Sequence, residues 1–117
     1  MAPDSITESD QEKAKRIITL LSEHVGKRPG MFIWKVEPEY LWTFLSGLHV
    51  AMFTIGLKNN FQSVYERVAW ERGRWAFSAN APHNVMRESG MADDAIIQEM
   101  IAIEVETWKR AYNITDE

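Results

Sequence analysis

The sequence of 117 residues contains no cysteine, and this absence excludes several kinds of site at once. Without a thiol, the chain can form no disulfide framework, no thiolate metal site and no cysteine nucleophile. No apolar run approaches the roughly 20 residues that a membrane-spanning helix needs. The first residues, Met1–Ser5, lack the basic and apolar regions of a signal peptide. We therefore expect a cytoplasmic protein that does not interact with a membrane.

Sequence patterns of common enzymes are missing as well. Neither the GxSxG turn of serine hydrolases nor a glycine-rich phosphate loop occurs. The histidines, at His24, His49 and His83, do not have close metal-ligand spacing. We therefore expect no catalytic residue, no cofactor and no metal. For His49, a hydrogen-bonded structural role is expected, and a cluster with Glu39 or Glu66 would depend on the fold.

The composition is that of one ordinary globular domain. Apolar residues make up 45% of the chain and charged residues 26%, which suits a single hydrophobic core at this length. We expect one domain over residues 1–117, with flexible ends at 1–8 and 114–117. The net charge of −4, from 17 acidic and 13 basic residues, disfavours binding to nucleic acid and mildly favours a basic partner.

Five helices can be placed from apolar periodicity and from residues that begin or end helices. The first spans about residues 9–25, the second begins at Pro38 and ends at Gly56, the third follows Asn60 and stops at Gly73, the fourth runs from Pro82 to about Ser89, and the fifth runs from a cap at Asp93 or Asp94 to about Tyr112. No alternating runs of strand length appear elsewhere. The sequence predicts an all-α fold, a single compact bundle of four to five helices with short loops.

Three details of these helices can be predicted. Ser9–Glu12 has the form of a capping box for the first helix, and Gly26 stands where a left-handed residue would end it. The second helix is apolar over much of its circumference, so we expect it to be the central and most buried one. In the fifth helix, Glu104 alone interrupts the apolar face.

Aromatic and basic residues alternate in the stretch Tyr65–Trp75, as they do on some nucleic-acid surfaces. The stretch also contains two glutamates, and on a helix its charges are expected to form a solvated face with Trp70 and Trp75 packed at the edge. A helix-turn-helix DNA-binding domain is the alternative, and the overall acidity disfavours it.

The segment Gly26–Trp34 is a basic-to-apolar hinge between the first two helices, and its motif residues are Arg28, Pro29, Gly30, Met31, Phe32 and Ile33. Pro29 fixes its own φ and keeps Arg28 extended, Gly30 permits a turn, and the three apolar residues are expected to cover one end of the core. The Arg28 side chain can cap carbonyls of the first helix. Trp34 and Trp42 either lock the hinge onto the core or, if Trp34 is exposed, anchor a protein interface.

The hinge also carries a resemblance. Arg28–Ile33 is followed by Tyr40–Gly47, then by an aromatic and arginine-rich helix at Phe61–Arg72 and by a turn through Gly90 into Asp93–Ile96. This order resembles small bacterial proteins with an RPGMY motif, which are similar to immunity proteins of polymorphic toxin systems. The resemblance implies that the protein binds and blocks a cognate toxin. Trp34 departs from the pattern, which usually has glycine there.

We therefore expect a non-catalytic toxin inhibitor that acts by occlusion through protein–protein contact. Exposed acids and one aromatic residue are the predicted contacts to a basic toxin: Trp34, Glu37, Glu39, Asp93, Asp94, Glu99 and Glu106. The alternatives are a small helical ligand-binding or enzymatic domain with a pocket near His49, and the helix-turn-helix DNA-binding domain.

Overall fold

A computed structural model of the chain describes residues 6–57, 60–75 and 81–115. The elements, in chain order, are α1 (Glu8–Thr19), a π-helical turn (Leu20–Val25), a 3-10 turn (Pro29–Met31), α2 (Pro38–Thr54), α3 (Phe61–Gly73), α4 (Pro82–Glu88) and α5 (Asp93–Ala111). No strand occurs within these described ranges. The all-α prediction, with five helices joined by short connections, is confirmed.

Helix α1 begins before the predicted capping box. Thr7 is extended, with φ −87° and ψ 162°, and its hydroxyl accepts a hydrogen bond from the Asp10 amide at 3.0 Å. Ser9 therefore lies within the helix, and the prediction that it caps α1 is wrong. Thr7 serves the same purpose two residues earlier, and Asp10 in the first turn suits the positive end of the helix dipole.

The end of the first helical segment also differs from the prediction. Gly26 is right-handed, with φ −64° and ψ −33°, so it is not the expected left-handed cap. Its amide donates to the Leu21 carbonyl at 2.7 Å, the spacing of the π-helical turn. A Cβ atom at Gly26 would lie 3.0 Å from that same carbonyl oxygen. The close approach of the backbone, rather than the sign of φ, makes glycine suitable here.

Helix α5, and not α2, is the central helix. Helices α1 to α4 and the π-helical turn all pack against it. It buries nine residues: Ile96, Ile97, Met100, Ile101, Ile103, Glu104, Thr107, Trp108 and Ala111. Helix α2 buries Pro38, Leu41 and Leu45, whereas Val50 and Ile55 are exposed. The prediction for α2 is wrong because an apolar circumference leads to burial only where neighbouring elements cover it, and α2 packs mainly against α4 and α5.

Two helix ends are made by residues other than those predicted. After α3 the left-handed residue is Arg74, with φ 58°, and Gly73 is the last helical residue. A Cβ atom at Gly73 would lie 2.4 Å from the Trp75 ring, which folds back over the helix end. Helix α5 is preceded by the extended Ala92, and no side chain caps it. Asp93 therefore lies in the first turn, where its charge suits the helix dipole.

The predicted flexible ends fall partly outside the description, since residues 1–5 and 116–117 are not described. Within the described part, Ile6 and Ile114 pack against the core. The Gln11 side chain donates to the Tyr112 carbonyl at 3.0 Å, which joins the start of α1 to the end of α5. In the described ranges, no helix is both long and apolar enough to cross a bilayer.

Candidate functional site

The hinge between α1 and α2 is held by its own backbone. The Arg28 amide donates to the His24 carbonyl at 2.9 Å, and the amides of Phe32 and Ile33 both donate to the Pro29 carbonyl, at 2.9 and 3.1 Å. Arg28 has φ −140° and ψ 64°, outside the helical region, as its position before proline predicts. It is the backbone amide of Arg28 that bonds to the end of the first helical segment. The hinge is thus a structured turn held by backbone hydrogen bonds.

Most apolar side chains of the hinge point to solvent. Ile33 is 7% exposed and belongs to the core, whereas Met31 is 71% exposed and Trp34 is 83% exposed. Phe32 lies between these extremes and contacts the edge of Phe44, with ring centroids 6.4 Å apart. The expectation that all three apolar motif residues cover the core is therefore correct for Ile33 and wrong for Met31. The structure also gives Trp34 no role in locking the hinge.

We call the exposed apolar residues of this region the hinge surface, and they are Met31, Phe32, Trp34, Val36 and Tyr40. Five large exposed apolar side chains within ten residues are unusual for a region without a partner. A cavity of about 370 Å³ adjoins them, lined by Glu23, His24, Lys27, Arg28, Met31 and Phe32. The hinge surface therefore combines apolar area with a concave, charged edge.

Two predicted contact residues, Glu39 and Asp93, share one arginine. The Arg87 guanidinium donates to both carboxylate oxygens of Glu39, at 2.6 and 3.1 Å, and to Asp93 at 3.3 Å. The hydrogen bonds from Arg87 lower the pKa of Glu39 to about 2. Because Arg87 is on α4, these bonds join α2, α4 and the start of α5, and they occupy two of the predicted acids within the fold.

Glu99 and Glu106 are paired within the fold as well. Both oxygens of Glu99 accept from Arg72, at 3.0 and 2.8 Å, and one also accepts from the Trp75 indole at 3.2 Å. These contacts, chiefly the hydrogen bonds from Arg72, lower the pKa of Glu99. Glu106 accepts from Arg110 at 2.8 Å. Both acids therefore neutralise arginines of the bundle surface.

The remaining predicted acids are Glu37 and Asp94. An oxygen of Asp94 accepts from the Ala95 amide at 2.9 Å, in the first turn of α5. Within the described residues, no hydrogen bond or ion pair reaches the Glu37 carboxylate. Of the seven predicted contact residues, Trp34 belongs to the hinge surface. Glu37 follows Val36 of that surface in the chain.

Two charged residues of the aromatic and basic stretch of α3 form ion pairs with α5. Arg72 forms a salt bridge with Glu99, and Glu71 forms one with Arg110, with nitrogen and oxygen 2.9 Å apart. Trp75 is partly buried against the core, as expected, whereas Trp70 is 53% exposed. Of the three arginines in this stretch, Arg72 is thus bound to a partner on α5.

A buried histidine–glutamate pair was not predicted from the sequence. His49 Nε2 and Glu104 Oε2 lie 2.5 Å apart, and the Trp108 indole donates to the same oxygen at 3.1 Å. Glu104 is completely buried, and its other oxygen has no partner among the described residues. The partner of His49 is therefore neither Glu39 nor Glu66. The signal in the sequence was the one glutamate on the apolar face of α5.

A pocket of about 200 Å³ reaches His49 of this pair and is lined by Trp42, Ser46, His49, Gln62 and Tyr65. Burial, together with the charge of Glu104, raises the pKa of Tyr65 well above its ordinary value, so its hydroxyl stays protonated. Glu104 orients the imidazole through Nε2, which leaves Nδ1 as the nitrogen that could meet a ligand. Within the described ranges, no group of three potential metal ligands comes together.

Comparisons with protein-family models, with curated proteins and with solved structures find no match to this chain. The hinge surface and the pocket at His49 are the two candidate sites of this chain.

Proposed function

We propose that this protein is a non-catalytic, immunity-type inhibitor that binds a cognate toxin through the hinge surface and blocks it by occlusion. The observation that carries this proposal is the exposure of Trp34 next to the exposed Met31 of the motif that carries the family resemblance. Exposed tryptophan is costly to leave in water, and aromatic residues are the most frequent energetic anchors of protein interfaces.

The hydrogen bonding of the turn that precedes Trp34 supports the same proposal. Backbone hydrogen bonds to His24 and Pro29 hold the turn, and Ile33 fixes it to the core. A side chain presented by such a turn loses less conformational entropy on binding than one on a free loop. Burying an aromatic side chain at an interface contributes about 1.5–3 kcal/mol, which corresponds to one or two orders of magnitude in affinity.

The experiment that tests the proposal uses the product of the neighbouring open reading frame as the candidate toxin. Co-expression should restore growth, and the purified proteins should form a complex measurable by calorimetry. Trp34→Ala should weaken that complex at least tenfold. Trp70→Ala is the matched control, because Trp70 is also more than half exposed but lies on α3. Absence of a complex, or equal losses for the two variants, would refute the proposal.

A second candidate function is a small-ligand site beside His49. It is favoured by one observation, the completely buried Glu104 carboxylate with an oxygen that has no partner among the described residues. Such groups cost stability and are often kept for binding or catalysis. In an NMR titration with benzamide, a flat probe with a donor and an acceptor, the signals of Trp42 and Gln62 should shift. Ser46→Trp, which fills the pocket, should abolish the shifts, and unshifted signals in the wild type would remove this candidate.

The DNA-binding alternative has less support. The α3 residues Glu71 and Arg72 are engaged with Arg110 and Glu99 of α5. The net charge of −4 would also oppose the approach of a phosphate backbone.

A further inference from the structure

The cations at the hinge surface that are free to meet a partner are Arg28 and Lys35. No hydrogen bond or ion pair engages either side chain within the described part of the chain. The neighbouring Lys27 is different, because it bonds Glu23 at 2.9 Å. Arg28 lines the cavity together with Met31 and Phe32, and the other charged pair of its lining, Glu23 with Lys27, is neutral in sum, so Arg28 supplies the cavity's excess positive charge.

Four of the six acids predicted to contact a basic partner already hold arginines of the fold. Arg87 holds Glu39 and Asp93, while Glu99 and Glu106 bond Arg72 and Arg110. A toxin that recruited these carboxylates would have to break an existing ion pair for each new one. Among the described residues beside the hinge surface, one carboxylate, that of Glu37, is unpaired, against two unpaired cations, Arg28 and Lys35.

We infer that the toxin segment that docks on the hinge surface carries a carboxylate next to an apolar or aromatic side chain. This inference rests on the proposed function, and it reverses the basic partner that the net charge suggested. The carboxylate enters the cavity and meets the Arg28 guanidinium, whose two parallel N–H groups match its two oxygens. The adjacent apolar side chain packs on Met31 and Trp34.

The location of Arg28 also determines which rate constant changes. The protein as a whole is negative, so long-range steering does not favour an acidic partner. The attraction acts at short range, in a cavity that the bound toxin shields from water. Loss of such a shielded pair increases the dissociation rate more than it decreases the association rate.

The test measures association and dissociation rates of the toxin with charge variants. Arg28→Glu should weaken the complex at least tenfold, mainly through faster dissociation, and Arg28→Gln should lie between it and the wild type. Arg67→Glu is the matched control, since Arg67 is exposed on α3 and carries the same charge change. It should alter the affinity less than twofold. Circular dichroism of each variant confirms that it is folded.

A charge exchange makes the test specific. Each exposed Asp or Glu of the toxin is replaced in turn by Lys, and one such toxin should bind Arg28→Glu more tightly than the wild-type toxin does. If Arg28→Glu binds as well as the wild type while Trp34→Ala loses binding, the acidic partner is wrong and the proposed function stands. If the wild-type protein does not bind the toxin at all, the proposed function and the acidic docking segment are both wrong.

Discussion

Helix α5 and the hinge surface are both rich in apolar and aromatic side chains, but those of α5 are mostly buried and those of the hinge surface are exposed to solvent. Trp108 of α5 is completely buried, whereas Trp34 of the hinge is 83% exposed. Helix α5 buries even a glutamate, while the hinge leaves a methionine in water. Apolar content alone therefore does not decide burial in this protein.

The difference lies in how each region satisfies its backbone and which neighbours cover it. Helix α5 buries nine of its nineteen residues, and four helices and the π-helical turn pack against it. The hinge is held by backbone hydrogen bonds to the His24 and Pro29 carbonyls and by the buried side chain of Ile33. Stability is concentrated in the first region, which leaves the second free for recognition.

Trp108→Ala should have the largest effect on stability. Trp108 is completely buried, packs on Phe61 with ring centroids 4.6 Å apart, and stacks on Tyr112. Removing it leaves a cavity beside two aromatic rings and should cost about 3–5 kcal/mol of unfolding free energy. Urea denaturation measures this loss. A cost below about 1 kcal/mol would show that α5 is not the stabilising centre.

His49→Leu should have the next largest effect. It leaves the buried Glu104 without its histidine partner, and breaking such a pair costs about 3 kcal/mol. The double variant His49→Leu with Glu104→Leu should recover much of that loss, because two apolar side chains need no partner. Both are measured by urea denaturation. Additive losses in the double variant would contradict the pairing.

Glu39→Gln should have a small effect that depends on pH. The native pKa of Glu39, about 2, lies below the ordinary value of 4.5, so the native state binds fewer protons than the unfolded state between these values. The stabilisation is complete above pH 4.5 and is lost as the pH falls towards 2. The pair is half-exposed and screened by solvent, so it contributes at most about 1 kcal/mol. Urea denaturation at pH 6 and pH 3 should show the variant and wild type converging at the lower pH. If the difference in unfolding free energy between the variant and the wild type is the same at both pH values, the Glu39–Arg87 pair is not its cause.

Trp34→Ala should have the smallest effect on stability. The indole is almost fully exposed and the hinge is held by backbone bonds, so the unfolding free energy should change by no more than about 0.5 kcal/mol. The same urea measurement applies. A loss above about 2 kcal/mol would mean that Trp34 supports the fold, and the contrast with α5 would disappear.

The helices could be predicted from the sequence because their signals are local. Pro38 and Pro82 begin α2 and α4 as predicted, and α3 spans Phe61–Gly73. The caps were less predictable. Thr7, and not Ser9, caps the start of α1, and Arg74, and not Gly73, is the left-handed residue that ends α3. Several residues near a helix end can make the same bonds, and packing selects among them.

The candidate site was predictable only in part. The hinge was identified from its proline, glycine and apolar residues, but the exposure of Met31 and Trp34 was not. The pairing of Glu39 with Arg87 joins residues 48 positions apart, and that of His49 with Glu104 joins residues 55 apart. Contacts at such separations leave no periodic pattern in the sequence.

The sequence by itself determined the helical class, the approximate position of each helix and the turn at Pro29, because backbone preferences and capping act within a few residues. Only the tertiary structure decided that α5 is central, that most predicted acids are bound to arginines, and that Trp34 faces water. These outcomes depend on which surfaces cover one another, and burial is a property of the packed chain rather than of any one segment.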